Sequence, residues 1–412
     1  MNKRNKLKIL NDPIYGFITI PNEFIFDLIE HKYFQRLRRI TQMGLSYMVY
    51  PGAHHTRFHH ALGCMHLMQQ AVRVLKFKGV EISEDEETAV LVAILLHDIG
   101  HGPFSHAMEH SIVHGVSHED ISLHFMEAIN EEFDGKLSLA IEIFKGDYPR
   151  KFLHQLISGQ LDMDRLDYLK RDSFYTGVAE GNVNSERLIT MLSVVDDELV
   201  VEEKGIYSVE KFLLSRRLMY WQVYLHKTSL VAENLLIRTL QRANYLVTQG
   251  QKLPASTVLS FFMTQKIDAT SFTKNVLNQF SKLDDYDIVS AIKEWISYDD
   301  KILSILSQML INRDLLKIEI GLEAYTEDTV NRRIDQLASK ETLTREEAAY
   351  FIFSGDISNQ AYNTTKQHIK LLLKNGEIAD IVKESDQYNL EALSKKVTKY
   401  FICYPKSNFS VN

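Results

Sequence analysis

The sequence predicts a mainly α protein: a helical bundle core with small β decorations, followed by a C-terminal α(+β) extension. Three observations predict it. Apolar residues recur at three- and four-residue spacings along most of the chain, only seven prolines interrupt 412 positions, and strand-like runs are few and short.

The first ten residues, MNKRNKLKIL, are basic but lead into Asn11, Asp12 and Pro13 without the apolar stretch of a secretory signal. No window approaches the roughly 18 apolar residues of a membrane span, so a cytoplasmic protein with no membrane partner is expected. A short strand pair is expected near Ile14 to Ile20. The segment AHHTRFHH, from Ala53 to His60, opens a helix. The clearest helix runs from about Glu84 to Leu96: Ser83 and Glu86 have capping-box spacing, acids crowd the first turn, and AVLVAILL fills the remainder. Gly100, Gly102 and Pro103 stop it. A helix over LDMDRLDYLKRD follows, then a hairpin in DELVVEEKGIYS from Asp197 to Ser208, a helix through SRRLMYWQVYLHKT, and strand-like segments at Leu316 to Ile320 and Tyr400 to Cys403. Recognisable chemistry stops near GQKLP, which divides the chain into a core over residues 1–250 and a mostly helical accessory region over 251–412.

Apolar residues at 45% and charged residues at 25% exclude collagenous and largely disordered classes. A net charge of −7 gives no global basic field, so nucleic-acid binding is not indicated and any phosphate recognition is local. Cys64 and Cys403 belong to no ligand spacing and read as reduced, structural thiols.

Histidine distribution is the first chemical signal, since twelve of the sixteen lie between His54 and His124. His97 and Asp98 end an apolar helix, where a carboxylate without a partner costs several kcal/mol or becomes neutral. A divalent cation supplies that partner. His60 is the third candidate ligand, with Arg57 one turn earlier on the same helix placed for an anionic ligand. In LDMDRLDYLKRD, Asp164, Tyr168 and Asp172 share one helix face over a rise of about 12 Å, so Asp164 can meet a metal while Asp172 reaches the far end of a nucleotide-sized ligand. Arg165, on another face, can meet phosphates. Arg216, Tyr220 and Tyr224 repeat the same spacing later, a stripe that by pattern alone reads as core.

These segments resemble the HD-domain phosphohydrolases, named for a metal-binding His-Asp pair. Within them they are similar to the deoxynucleoside triphosphate triphosphohydrolases related to the sterile-alpha-motif and HD-domain protein. The likeness runs through NDPIYGFITI, FQRLRRITQMG, YPGAHHTRFHHALG, HDIGHGPFSH, SHED, DMDRLDYLKRD and YWQVYLHK, from residue 11 to about 230. It implies metal binding by His60, His97, Asp98 and Asp164. It further implies His118 as the acid near the scissile phosphorus with Glu109 supporting it, His101 and His106 as active-site histidines on phosphate, and Arg57, Arg165 and Arg216 as basic contacts. Gln42, Tyr168, Asp172 and Tyr224 would surround the deoxyribose, Asp172 accepting from the 3′-hydroxyl and Tyr224 crowding a ribose 2′-hydroxyl. Arg165 replaces a lysine of relatives. Phe17 stands where the activated relative has an imidazole and Glu30 replaces an aspartate, so nucleotide activation is not implied.

The expected reaction is metal-dependent hydrolysis of a deoxynucleoside triphosphate to deoxynucleoside and triphosphate, by a homo-oligomer (dimer or tetramer). The two-His, two-Asp set suits Fe, Mn, Zn or Ni, and Mg with added waters. The rival readings are another HD activity, either a nucleoside monophosphate phosphatase or a signalling-nucleotide phosphodiesterase, and a nucleotide-sensing or nucleic-acid-binding scaffold.

Overall fold

The computed structural model describes residues 8–104, 115–363, 368–385, 393–407 and 409–410. Helices dominate, as the apolar periodicity predicts. The central helix Glu84–Leu96 is buried along nearly its whole length, from Ala89 to Leu96. It starts where expected: Ser83 Oγ accepts from the Glu86 N–H at 3.1 Å and Glu86 Oε2 accepts from the Ser83 N–H at 2.9 Å. The long helix Arg57–Phe77 packs against it and against the helix Met163–Thr176. Two of these helices carry His60 and Asp164, and His97 and Asp98 follow directly on the end of the central one. The helix His118–Glu132 closes over the end of the central helix, where Ser122 Oγ donates to the His97 carbonyl at 2.8 Å and accepts from the Gly100 N–H at 2.9 Å.

Gly100 allows that closure by close approach. A Cβ there would lie 2.2 Å from the His118 carbonyl oxygen and 2.3 Å from the Ser122 nitrogen. The stop signal after the helix is therefore also a packing requirement.

The β decorations form three small sheets. Strands β1 (Lys8–Asp12) and β2 (Gly16–Ile20) make an N-terminal antiparallel hairpin, so the expected pair lies slightly earlier in the chain than Ile14 to Ile20. The second hairpin corrects the sequence expectation more substantially. Its strands are β3 (Leu192–Val195) and β4 (Glu198–Glu202), and residues from Ile206 onward already belong to the helix Ile206–Met219. Asp196 and Asp197 make the turn in the left-handed region, at φ 51° and 57°, which Asp tolerates better than most residues. Within the segment expected as a hairpin, Glu203–Gly205 forms a short 3-10 turn that leads into the helix.

The C-terminal part is woven against this body. β5 (Lys317–Gly321) and β6 (Phe353–Asn359) flank β9 (Val397–Tyr404), and β7 (Lys370–Leu372) pairs in parallel with β4 before β8 (Ile378–Asp380) completes that sheet. Buried apolar residues on both sides of residue 250 share one continuous core. Among the described residues no helix is long and apolar enough to cross a membrane.

Candidate metal centre and adjoining cleft

The helix Arg57–Phe77 begins at Thr56, whose N–H donates to His59 Nδ1 at 3.2 Å. That cap leaves His60 on the inward face, fully buried. His97 follows the last turn of the central helix, and Asp164 lies in the first turn of the helix that Asp162 caps by accepting from the Arg165 N–H at 2.7 Å. The three converge: Asp164 Oδ1 is 3.0 Å from His60 Nε2 and 3.5 Å from His97 Nε2. Asp98 closes the set, with its carboxylate 3.8 Å from His60 Nε2 and 3.5 Å from His97 Nε2. The structure thus brings His60, His97, Asp98 and Asp164 together.

The imidazoles are oriented for a cation. His97 Nδ1 donates to the Ile94 carbonyl at 2.7 Å, and His60 Nδ1 donates to Asp167 Oδ2 at 2.7 Å. Both Nε2 lone pairs therefore face the cluster, and His97 Nε2 is a buried nitrogen without a hydrogen-bond partner among the described residues. A divalent ion satisfies these donors, and the backing of an imidazole by a carboxylate is a recurrent metal-site device. Electrostatics agree. Burial opposes the charge of Asp164 and Asp98, yet the surrounding histidines, with Arg57 beside Asp98, hold both carboxyls below their ordinary range.

Phosphate-directed residues border the centre. Arg57 Nη1 donates to Asp98 Oδ2 at 2.5 Å, and His101 Nε2 is 3.2 Å from Asp98 Oδ1. Burial first, then the Arg57 charge, push His101 down to about 3, so it is a neutral imidazole at physiological pH. The His118 ring stacks on it at 4.0 Å. Arg36, fully buried, ties this loop down by donating to the carbonyls of Ile99, His101 and Leu283. His106 and Glu109 lie outside the described residues.

A second group of side chains sits two turns along the Asp164 helix. Asp172 accepts from the Tyr224 hydroxyl at 2.8 Å, and the Tyr168 and Tyr224 rings meet edge to face at 6.0 Å. Tyr224 ends a π-helical turn, Tyr220–Tyr224, that follows the helix Ile206–Met219; such wide turns recur at functional sites. Its hydroxyl points at a carboxylate, so the tyrosine is more than core packing. Gln42 donates its backbone N–H to the His55 carbonyl at 3.0 Å, and its Oε1 is buried without a partner among the described residues. Arg165 Nε donates to Asp162 at 3.0 Å, and Arg216 Nη1 to the Ala361 carbonyl at 2.7 Å, so these two guanidiniums are partly engaged within the protein.

Sequence reasoning missed four residues here. Asp167 backs His60, and Arg171 forks onto Asp167 with Nε at 2.9 Å and Nη2 at 3.0 Å. Arg171 Nη1 continues to Asp12 Oδ2 at 2.8 Å. The signal available was the i, i+4 acid-base pair of Asp167 and Arg171 within the helix. His55, the fourth, donates to Asp172 at 2.7 Å. Cys64 is buried and free, as expected, and its Sγ lies 3.5 Å from His60 Nδ1, where its sulfur falls with His60, His97 and Asp164 in one group of candidate ligand atoms within 4.8 Å of each other. Burial raises its thiol well above the ordinary range, so it remains a protonated thiol behind the ring.

Comparison with known proteins decides the family. The HD domain model matches residues 57–172, and the HD associated region matches 183–261. YwfO of Bacillus subtilis is 32% identical over 98% of this chain and 93% of its own length. This chain is an HD-domain phosphohydrolase. A solved phosphohydrolase from Bacteroides thetaiotaomicron superposes on the HD enzyme with a TM-score of 0.94 at 53% identity, covering 97% of this chain and 100% of that one. The deoxynucleoside triphosphate triphosphohydrolase SAMHD1 homolog of Dictyostelium discoideum is 31% identical over 61% of this chain and 52% of its own length. The HD enzyme thus matches about half the length of that relative.

Proposed function

We propose that this HD enzyme hydrolyses deoxynucleoside triphosphates to deoxynucleoside and triphosphate. The observation that carries the reading is the Tyr224 to Asp172 hydrogen bond of 2.8 Å. Asp172 lies eight residues beyond Asp164 on one helix, a rise of about 12 Å, which suits a ligand with phosphate at one end and sugar at the other. A monophosphatase has no evident use for such a tyrosine-carboxylate pair at that distance. The similarity to triphosphohydrolases supports the same reading.

His60, His97, Asp98 and Asp164 would hold the divalent ion, which when bound supplies Lewis acidity toward the α-phosphate. Arg57 and neutral His101 would donate to phosphate oxygens as charge develops. His118, stacked on His101, would give its proton to the 5′-oxygen as it leaves. Asp172 would accept from the 3′-hydroxyl. Assembly into a dimer or tetramer and residence in the cytoplasm are part of the same proposal.

Chromatography of each common deoxynucleotide incubated with the protein and Mn²⁺ tests the reaction. The expected products are deoxynucleoside and inorganic triphosphate; release of pyrophosphate or monophosphate overturns it.

A further inference from the structure

We propose that His55 is a positioning residue of the sugar end, holding the Asp172 carboxylate in the one orientation from which it accepts a 3′-hydroxyl. This rests on the function proposed above. His55 and Asp172 are each 2% exposed, and His55 Nε2 donates to Asp172 Oδ1 at 2.7 Å. Tyr224 takes the other oxygen, Oδ2, at 2.8 Å. A carboxylate gripped on both oxygens cannot swing about its terminal torsion. Each oxygen keeps a second lone pair, so a sugar hydroxyl can be accepted at Oδ2 without rearrangement, the condition for preorganised recognition.

The placement of the ring supports a role directed at Asp172. His55 stacks on Tyr175 at 4.3 Å with an interplanar angle of 15°, which sets its plane. Its Nδ1 is buried without a hydrogen-bond partner among the described residues, so the ring is not placed to satisfy both of its own nitrogens. The backbone is held as well: the His55 carbonyl accepts from Gln42 N–H at 3.0 Å, Thr41 and Thr56 form a β-bridge, and Arg57 N–H donates to the Ile40 carbonyl at 2.9 Å. Gln42, Asp172 and the start of the His60 helix thus all reference one residue.

The test compares equilibrium binding of each common deoxynucleoside triphosphate with its 2′,3′-dideoxy counterpart, by calorimetry on the full chain with Ca²⁺. Wild type is expected to prefer the 3′-hydroxyl form by about tenfold or more, as for a hydrogen bond to a charged acceptor. His55→Phe keeps the stack but removes the donor; it should weaken the deoxy form by about tenfold and leave the dideoxy form within about twofold. His55→Gln, whose amide nitrogen reaches the Nε2 position, should keep most of the preference, and His55→Asn, which reaches only Nδ1, should lose it. If His55→Phe does not fold, the Gln and Asn variants decide between themselves. Equal weakening of both ligands by His55→Phe, equal behaviour of Gln and Asn, or a wild type without preference each overturns the inference. Selective binding together with products other than triphosphate would sink the proposed reaction and leave this inference standing.

Discussion

Asp167 Oδ2 receives the Nδ1 proton of His60 across 2.7 Å, and both side chains are fully buried. Arg171 and Asp12 extend this contact to the N-terminal hairpin, where Asp12 Oδ1 also accepts the backbone N–H groups of Ile14 and Tyr15. Burial opposes the Asp167 charge, but Arg171 and His60 hold its carboxyl down at about 2. Asp167→Asn should therefore weaken metal binding by about 10- to 100-fold, read by competition with a chelating dye. Asp167→Ala should also cost about 3–5 kcal/mol of stability, because it takes from buried Arg171 the carboxylate that its guanidinium engages through two nitrogens.

Substitution at Gly63 should damage the same network sterically. A Cβ there would lie 2.0 Å from Asp167 Oδ1 and 2.3 Å from Arg171 Nη2. These are fully buried charged side chains locked to each other by two hydrogen bonds, so they have little room to yield. Gly63→Ala should destabilise by about 2–4 kcal/mol in chemical denaturation and release metal more readily than wild type. A wild-type melting curve would show that the pair can shift.

Gly100→Ala meets backbone rather than side chain and should be worse. Its Cβ would collide with the His118 carbonyl oxygen and with the Ser122 nitrogen. Displacing the helix His118–Glu132 moves His118 off His101, so turnover should fall by about 100-fold or more even in the fraction that folds. Near-wild-type kcat in soluble protein would contradict the packing argument.

Metal loading should stabilise the fold. His97 Nε2 is buried with no hydrogen-bond partner among the described residues, and the carboxylates of Asp98 and Asp164 each lie 3.5 Å from it. Mn²⁺ at about 100 times its Kd should add about 2.7 kcal/mol, seen as a higher Tm that EDTA reverses. An unchanged Tm across the titration would argue against a site in the native state.

Asp285 supplies a pH signature away from the metal. Burial pushes its carboxyl up to about 6, despite the N–H and hydroxyl of Thr41 donating to it at 2.8 and 2.7 Å. Its folded pKa is above the unfolded value of about 3.9, so the native state binds the extra proton and this residue's contribution falls as pH rises from about 4 to about 6. Asp285→Asn should remove that decline, making the variant the more stable by roughly 2 kcal/mol at pH 7 relative to its standing at pH 4. Parallel pH-stability curves for variant and wild type would refute it.

Much of the site was legible because its chemistry is local. The His97 and Asp98 pair, ending an apolar helix, asks for a cation whatever surrounds it, and Asp164, Tyr168 and Asp172 share a face by helical periodicity alone. Capping at Ser83 and Glu86 was readable for the same reason: both partners lie within one turn. The second hairpin, expected from Asp197 to Ser208, was placed too late in the chain because its turn lies at Asp196–Asp197 and the helix starting at Ile206 takes the end of that segment.

By itself the sequence determined a helical body, a candidate metal set of His60, His97, Asp98 and Asp164, and the shared helix face of Asp164, Tyr168 and Asp172. Only the tertiary structure decided what stands behind those residues. Asp12 to Arg171 spans 159 positions and His55 to Asp172 spans 117. Helical periodicity constrains neighbours three or four residues apart and carries no information about such pairs. Whether a buried carboxylate is backed, gripped or left to a metal is set by the packing of separate helices, and that packing turned Tyr224 from a core aromatic into a partner of Asp172.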